Sequence, residues 1–453
     1  MKRNLGAMSA TMIVVANIIG AGIFTTSGFM AGQLPSPGWV LLCWFLGGLI
    51  AISGALCYTE LATRMPDEGG EYVYLKKLYH PLFGFLSGWT SLFIGFSVPI
   101  AASSIAFAEY LFKGLSGNYN IDGSLPHIFY IKIIAVGIIA GFTLLHYLGL
   151  RLGAKVQNVL TLLKIGIILS LAIIGITAGS GNWGNITFEM NGSLDWMVFG
   201  TVMMIVMFSY SGWNASAYIA GELKRPGKTL PVSLISGTVI VIVLYLLINV
   251  FYFYAAPFSE LKNSITVAET ASVRAFGGWM GGFLSLLISL ALLSSISAFV
   301  MIGPRIYYAM ACDKLFFPYA SKVHPKYKVP GRSIIVQGSI AVFMVLIGSF
   351  EQLIVYLGFA LGIFPLMAVA GIFIARRRGI GNRTAVKVWG YPVTPLFFLV
   401  SCSLLMGIAF INRPFESVSA IVTVLLGIPC YYFWVKGLKV SGKKELAPVK
   451  IKK

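Results

Sequence analysis

The sequence predicts an all-α integral membrane protein of about twelve transmembrane helices, on three observations. Of its 453 residues, 57% are hydrophobic and only 11% charged, against about 25% charged in a soluble domain. Such a chain needs lipid around it, not water. Twelve long apolar runs recur, centred on 8–31, 38–63, 82–112, 129–149, 155–178, 196–221, 230–256, 279–303, 333–349, 352–375, 393–411 and 416–435. Each is near the ~20 residues that cross a bilayer core. Finally, 28 of the 34 lysines and arginines fall on one side of an alternating path, together with both termini; five fall on the other, and Lys164 lies within a run. Positive charge marks the cytoplasmic side, so both termini are expected there and the number of spans is even.

Taken in order, the first run is too long for a signal peptide and an equally apolar run follows it, so the N-terminus reads as mature. The ninth run is short, and a tight Ser-Phe-Glu turn (349–351) joins it to the tenth. The tail from 436 to 453 is rich in lysine and suits anionic lipid. The net charge of +19 is thus a topology signal and does not point to nucleic acid. Cys43, Cys57, Cys402 and Cys430 fall within runs and Cys312 at a helix end, with no metal spacing and no external pair. The four histidines, His80, His127, His146 and His324, are scattered. No metal, cofactor, nucleophile–base pair or enzymatic activity is expected. Glu60, Glu109 and Glu222 sit near span ends, where solvated or helix-capping roles stand beside an ion relay as readings. GELKRPGKT (221–229) has the wrong spacing, a proline and no preceding strand for a phosphate loop. Sequons at Asn185 and Asn191 lie in a predicted external loop.

Two runs carry a weak point at their centre. The first holds NIIGAGIF (17–24), with Gly20-Ala21-Gly22 in mid-span; glycine is the poorest helix former short of proline. The sixth holds FSYSGWN (208–214). Equivalent breaks five helices apart indicate inverted repeats, one over 1–178 and one over 196–375, with two added helices over 393–435. A break inside a bilayer frees backbone N–H and C=O groups that cost several kcal/mol each if unpaired, about what a bound ligand must offset. The N–H groups of a half-helix starting near Gly20 suit a carboxylate. The carbonyls near Ile18, Phe208 and Ser211 suit an ammonium. Together they read the part that all amino acids share, and neither break contains a charged side chain.

At these residues the sequence resembles the amino acid–polyamine–organocation (APC) superfamily, most closely its L-type amino acid transporter branch and bacterial permeases. IIGAGIF is similar to that branch's IIGSGIF, and FSYSGWN to its second break. GELKRP (221–226), YTELATRMPDEGGEYVYL (58–75), SGW (87–89) and GPRIYYAMACDKLFFP (303–318) follow in matching positions. The resemblance implies a 5+5 inverted repeat, alternating access, and amides of Gly20, Ala21 and Gly22 on the substrate carboxylate. It also implies the carbonyls of Ile18, Phe208 and Ser211 on the ammonium, the Phe208 ring as an outer gate, and Asn214 steadying the unwound part of helix 6. Ala21 replaces the family's usual serine, which removes a hydroxyl but keeps the amide.

Lys164 falls near mid-depth of the fifth run, where a lysine costs about 3 kcal/mol. Its ammonium is expected between helices 1, 5 and 8, near Ser294 and Ser295, in place of a coupling cation; the resemblance supports this. The expected activity is sodium-independent secondary transport, an exchange of neutral L-amino acids across a plasma or inner membrane. Small residues at Gly95, Ser97, Ala298 and Gly362 favour neutral substrates. Proton-coupled uptake, an amine or polyamine antiporter, and a non-transporting amino acid sensor are the alternatives. The loop 113–127 has no cysteine, so no disulfide-linked heavy subunit is expected.

Overall fold

The computed structural model describes residues 3–116, 125–188, 195–264, 266–347, 350–412 and 414–440. Asn191, the middle of the cysteine-free loop and the end of the lysine tail lie outside the described residues. Each of the twelve runs is helical. Helix 1 is two pieces, Ala7–Ile18 and Gly22–Gln33, and helix 2 is Pro37–Arg64. A short loop helix, Glu71–Leu78, precedes helix 3, which runs Pro81–Thr90, Ser91–Phe96 and Ser97–Ser116. Helices 4 and 5 are Leu125–Tyr147 and Leu150–Thr177. Helix 6 is Trp196–Ser209 followed by a 3-10 piece, Ala215–Glu222, and helix 7 is Pro226–Ala255. Helix 8 is Trp279–Ile302 with Pro304–Cys312. Helices 9 to 12 are Gly331–Ile347, Phe350–Arg378, Val393–Asn412 and Pro414–Val440. Among the described residues there is no β-strand, only a bridge between Leu5 and Leu223. The chain is a multi-pass, all-α integral membrane protein.

Burial sorts the helices. Helices 1, 3 and 8 are buried over 72%, 78% and 72% of their most apolar stretches, and helices 4, 11 and 12 over only 22%, 17% and 22%. All are apolar enough to cross a membrane, so hydropathy alone does not separate the centre from the rim. Helix 8 packs along helix 3, and helix 7 lies against helices 1 and 2. Peripheral side chains such as Ile133, Leu144, Leu162 and Leu404 are exposed, as lipid contact allows.

Two boundaries differ from the sequence expectation. Helix 5 starts at Leu150, five residues before the run at 155–178, and Lys164 stands midway along its 28 residues. Helix 3 is not continuous α-helix: Ser91–Phe96 is a π-helical turn. The acids at the span ends also differ. Glu60 and Glu222 are fully buried, not solvated. Glu60 accepts hydrogen bonds from Arg64 Nε (2.8 Å), Arg376 Nη2 (2.6 Å) and the Val388 N–H (2.8 Å). Glu222 accepts two from Arg305 at 3.1 and 3.2 Å. Beside it, the amides of Asn4 and Leu5 donate to the Glu222 carbonyl (2.9 and 3.1 Å) and the Lys224 amide to Leu5 (2.8 Å). This pins the N-terminal segment to the end of helix 6. Glu109 is half-buried.

Removing one partner of a buried ion pair leaves an uncompensated charge, at a cost of about 3–5 kcal/mol. Arg305→Leu is therefore expected to lower the thermal midpoint of the purified protein sharply. Adding Glu222→Gln should recover most of the loss in a double-mutant cycle.

Candidate functional site

Helix 1 stops at Ile18 because Ile19 turns extended (φ −75°, ψ 96°) and the next helical residue is Gly22. The second half-helix thus begins two residues later than expected, with Ala21 as its cap. Gly20, Ala21 and Gly22 are half-buried, and among the described residues their amides have no protein acceptor. Helix 6 stops at Ser209 and turns through 210–214 into the 3-10 piece. Gly212 makes this possible. Its φ is +101°, and a Cβ there would stand 2.8 Å from the Asn17 backbone, so the two breaks touch. Gly22 likewise faces Ser209, whose Oγ would lie 2.6 Å from an added Cβ.

The breaks share one cavity of about 150 Å³. All seven residues expected at the site line it: Ile18, Gly20, Ala21 and Gly22 from helix 1, and Phe208, Ser211 and Asn214 from helix 6. Gly95 lines it too, while Ser97 turns its hydroxyl back to the Leu92 carbonyl (2.6 Å) and Ala298 is buried elsewhere. The free carbonyls are fewer than the sequence suggested. The Phe208 carbonyl accepts the Ser211 amide (3.0 Å). The Ile18 carbonyl accepts from the Tyr245 hydroxyl (3.0 Å), which lies equally close to the Ser209 carbonyl. One phenolic proton on helix 7 is thus shared between the two breaks, and each carbonyl keeps a second lone pair. Nothing in the sequence marks Tyr245, which sits near similar aromatics in a largely apolar helix.

Lys164 does not line the cavity; it stands behind the first break. Its Nζ donates to the Ile19 carbonyl (2.6 Å), to Ser295 Oγ (2.7 Å) and to the Ala16 carbonyl (3.4 Å). Ser295 also donates to the Ile19 carbonyl (2.8 Å). The expected meeting of helices 1, 5 and 8 is present. Ser294, however, pairs with Thr161 (3.0 Å) and Gln157. His146 is packed against Ser297 (2.9 Å) and reaches no cavity.

Two cavity features escaped sequence reading. The π turn of helix 3 presents Ser91, Gly95 and Phe96; the Ser91–Gly95–Pro99 stripe of weak helix formers was its only signal. Glu71, from the loop helix, brings a carboxylate to the wall. Its Oε1 accepts from Tyr58 Oη and Asn214 Nδ2, each at 2.7 Å, so Asn214 ties helix 6 to this loop. Asn214 also reaches Tyr218 Oη at 3.2 Å. Burial pushes the Glu71 carboxyl above its ordinary range, partly offset by hydrogen bonds from Tyr58, Tyr218 and Asn214.

Two unwound helices on one cavity, with a lysine behind the first break, can be compared with known proteins. The amino acid permease family matches residues 5–430. The chain belongs to that family. Its relatives include the serine/threonine exchanger SteT of Bacillus subtilis, 28% identical over 439 residues, which are 95% of this chain and 97% of SteT. The b(0,+)-type amino acid transporter 1 of Mus musculus is 28% identical over 96% of this chain and 88% of its own. The cystine/glutamate transporter of Homo sapiens is 27% identical over 96% and 86%. These relatives are amino acid transporters and exchangers, so the breaks in this permease sit in the fold of a transporter family.

Tyr245→Phe keeps the ring and removes the shared proton. Transport is expected to fall about tenfold while the thermal midpoint shifts little, since a hydrogen bond is worth about 1 kcal/mol net. A raised carboxyl pKa costs stability as pH climbs from the group's ordinary titration range to its folded value. Over that window the wild type should lose thermal stability, and Glu71→Gln should flatten the loss.

Proposed function

We propose that this permease is a secondary active transporter that exchanges neutral L-amino acids by alternating access, without sodium. The observation that carries this reading is the shared cavity: amides without protein acceptors at Gly20–Gly22 face the carbonyl-rich turn of helix 6. A carboxylate suits the first and an ammonium the second, at the carbonyls of Ser211, Phe208 and Ile18. Phe208 serves as the outer gate and Asn214 as the brace of the unwound segment. Helices 1–5 and 6–10 form the two inverted repeats, helices 11 and 12 are additions, and both termini face the cytoplasm. The transporter works without a disulfide-linked subunit.

Sodium independence rests on Lys164. Its ammonium supplies a positive charge where the first break, helix 5 and helix 8 meet, and it takes the Ile19 carbonyl. Proton-coupled uptake is the second reading, favoured by one observation: the hydrogen-bond partners of Lys164 are two carbonyls and a hydroxyl, with no carboxylate among them. Among the described residues, no carboxylate pairs with it.

Proteoliposomes loaded with unlabelled amino acids test these readings by uptake of labelled ones, with and without sodium. Uptake that requires internal substrate and ignores sodium is expected, and Lys164→Ala should reduce it at least tenfold. Uptake into empty vesicles along a proton gradient would shift the mechanism to the second reading. Sodium-driven uptake would overturn the role given to Lys164. Movement of polyamines in place of amino acids would overturn the substrate, and saturable binding without flux would make the protein a sensor.

A further inference from the structure

Beside the central cavity lies a second chamber of about 100 Å³. Its walls come from helix 6 (Met204, Met207), helix 10 (Gly362) and helix 11 (Cys402, Leu405, Met406). Phe208, Ser211, Trp213 and Pro365 border both spaces. The two are therefore neighbours across a wall built largely by Phe208 and the helix 6 break. Apart from Ser211 and the Cys402 thiol, the chamber is lined by apolar groups.

We infer that this chamber, with helix 11 as one wall, is a side-chain subsite that takes the distal part of a long, flexible apolar amino acid side chain. This rests on the amino acid reading proposed above. The central cavity of about 150 Å³ is of the size that holds one benzene-sized molecule. An α-ammonium, an α-carboxylate and a short side chain fill it. A longer chain needs further room next to the helix 6 break, where its Cα is held. The shared residues put the second chamber at that place. Its chemistry fits. Three methionines line it, unbranched and polarizable, and thioethers adapt to apolar groups of varied shape. Gly362 keeps it open: a Cβ there would stand 3.1 Å from Met406 Sδ.

The test is competition for uptake into proteoliposomes by a straight-chain series: alanine, 2-aminobutyrate, norvaline, norleucine and methionine. Burying each added methylene in an apolar site is expected to raise affinity by about fourfold. Met406→Trp and Cys402→Phe fill the chamber from helix 11. In either variant the ratio of norleucine to alanine affinity should collapse by at least tenfold. Met406→Ala, which enlarges the chamber, should extend the rise to a longer homologue. A wild-type series with no rise, as a chamber filled by lipid would give, overturns the subsite and leaves amino acid transport standing. So does a rise that survives both filling variants, which would place the side chain between helices 3 and 8. A series in which no amino acid competes but polyamines do removes the amino acid reading itself, and the subsite with it.

Discussion

The structure depends on one constraint: a backbone opened inside a bilayer must find partners for every group it exposes. Two helices are opened here, and partners arrive from three directions. Lys164 and Ser295 take the Ile19 carbonyl, Tyr245 shares a proton between Ile18 and Ser209, and Asn214 leans on Glu71. What these leave over are the amides of Gly20–Gly22, on the cavity side. The protein has thus satisfied the groups behind the breaks and left donors in front of them. The proposed carboxylate site takes its donors from this remainder.

The breaks were legible because glycine in mid-span is costly and its position needs a reason. Gly20, Gly22 and Gly212 all lie where the backbone turns or two chains meet. Lys164 was legible for the same reason, being a charge placed where lipid would reject it. The second layer was not. Tyr245 is one of several tyrosines in apolar company, and its role lies in where its hydroxyl points. Glu71 belongs to a polar loop, where an acid is ordinary; only the fold turns that loop inward beneath helix 6. Glu60 and Glu222 read as span-end acids because Arg376 and Arg305, which close over them, lie far off in sequence; only Arg64 is a near neighbour of Glu60. Local pattern reports cost, and long-range pairing is what removes it.

The wall around the breaks is uneven in composition. The π turn of helix 3 offers Ser91, Gly95 and Phe96, helix 6 offers the thioethers of Met204 and Met207, and helices 10 and 11 offer Phe364, Phe398 and Met406. A site that fixes the common part of its ligand by backbone groups can change specificity by altering these walls alone. This separates recognition of the class from choice within it. It also fits relatives whose names record different amino acids at about 28% identity.

The lead into helix 1 and the ends of helices 6 and 8 beside it meet at one residue. Glu222 gives its carbonyl to Asn4 and Leu5 and its carboxylate to Arg305. Opening this face must either carry the three helices as a single body or strip a buried guanidinium and carboxylate of each other. The first course keeps the knot and the second breaks it whole, so few stable positions lie between. Any rearrangement at this end of the bundle would therefore favour discrete positions over graded ones, and the N-terminal segment is tied into the same knot.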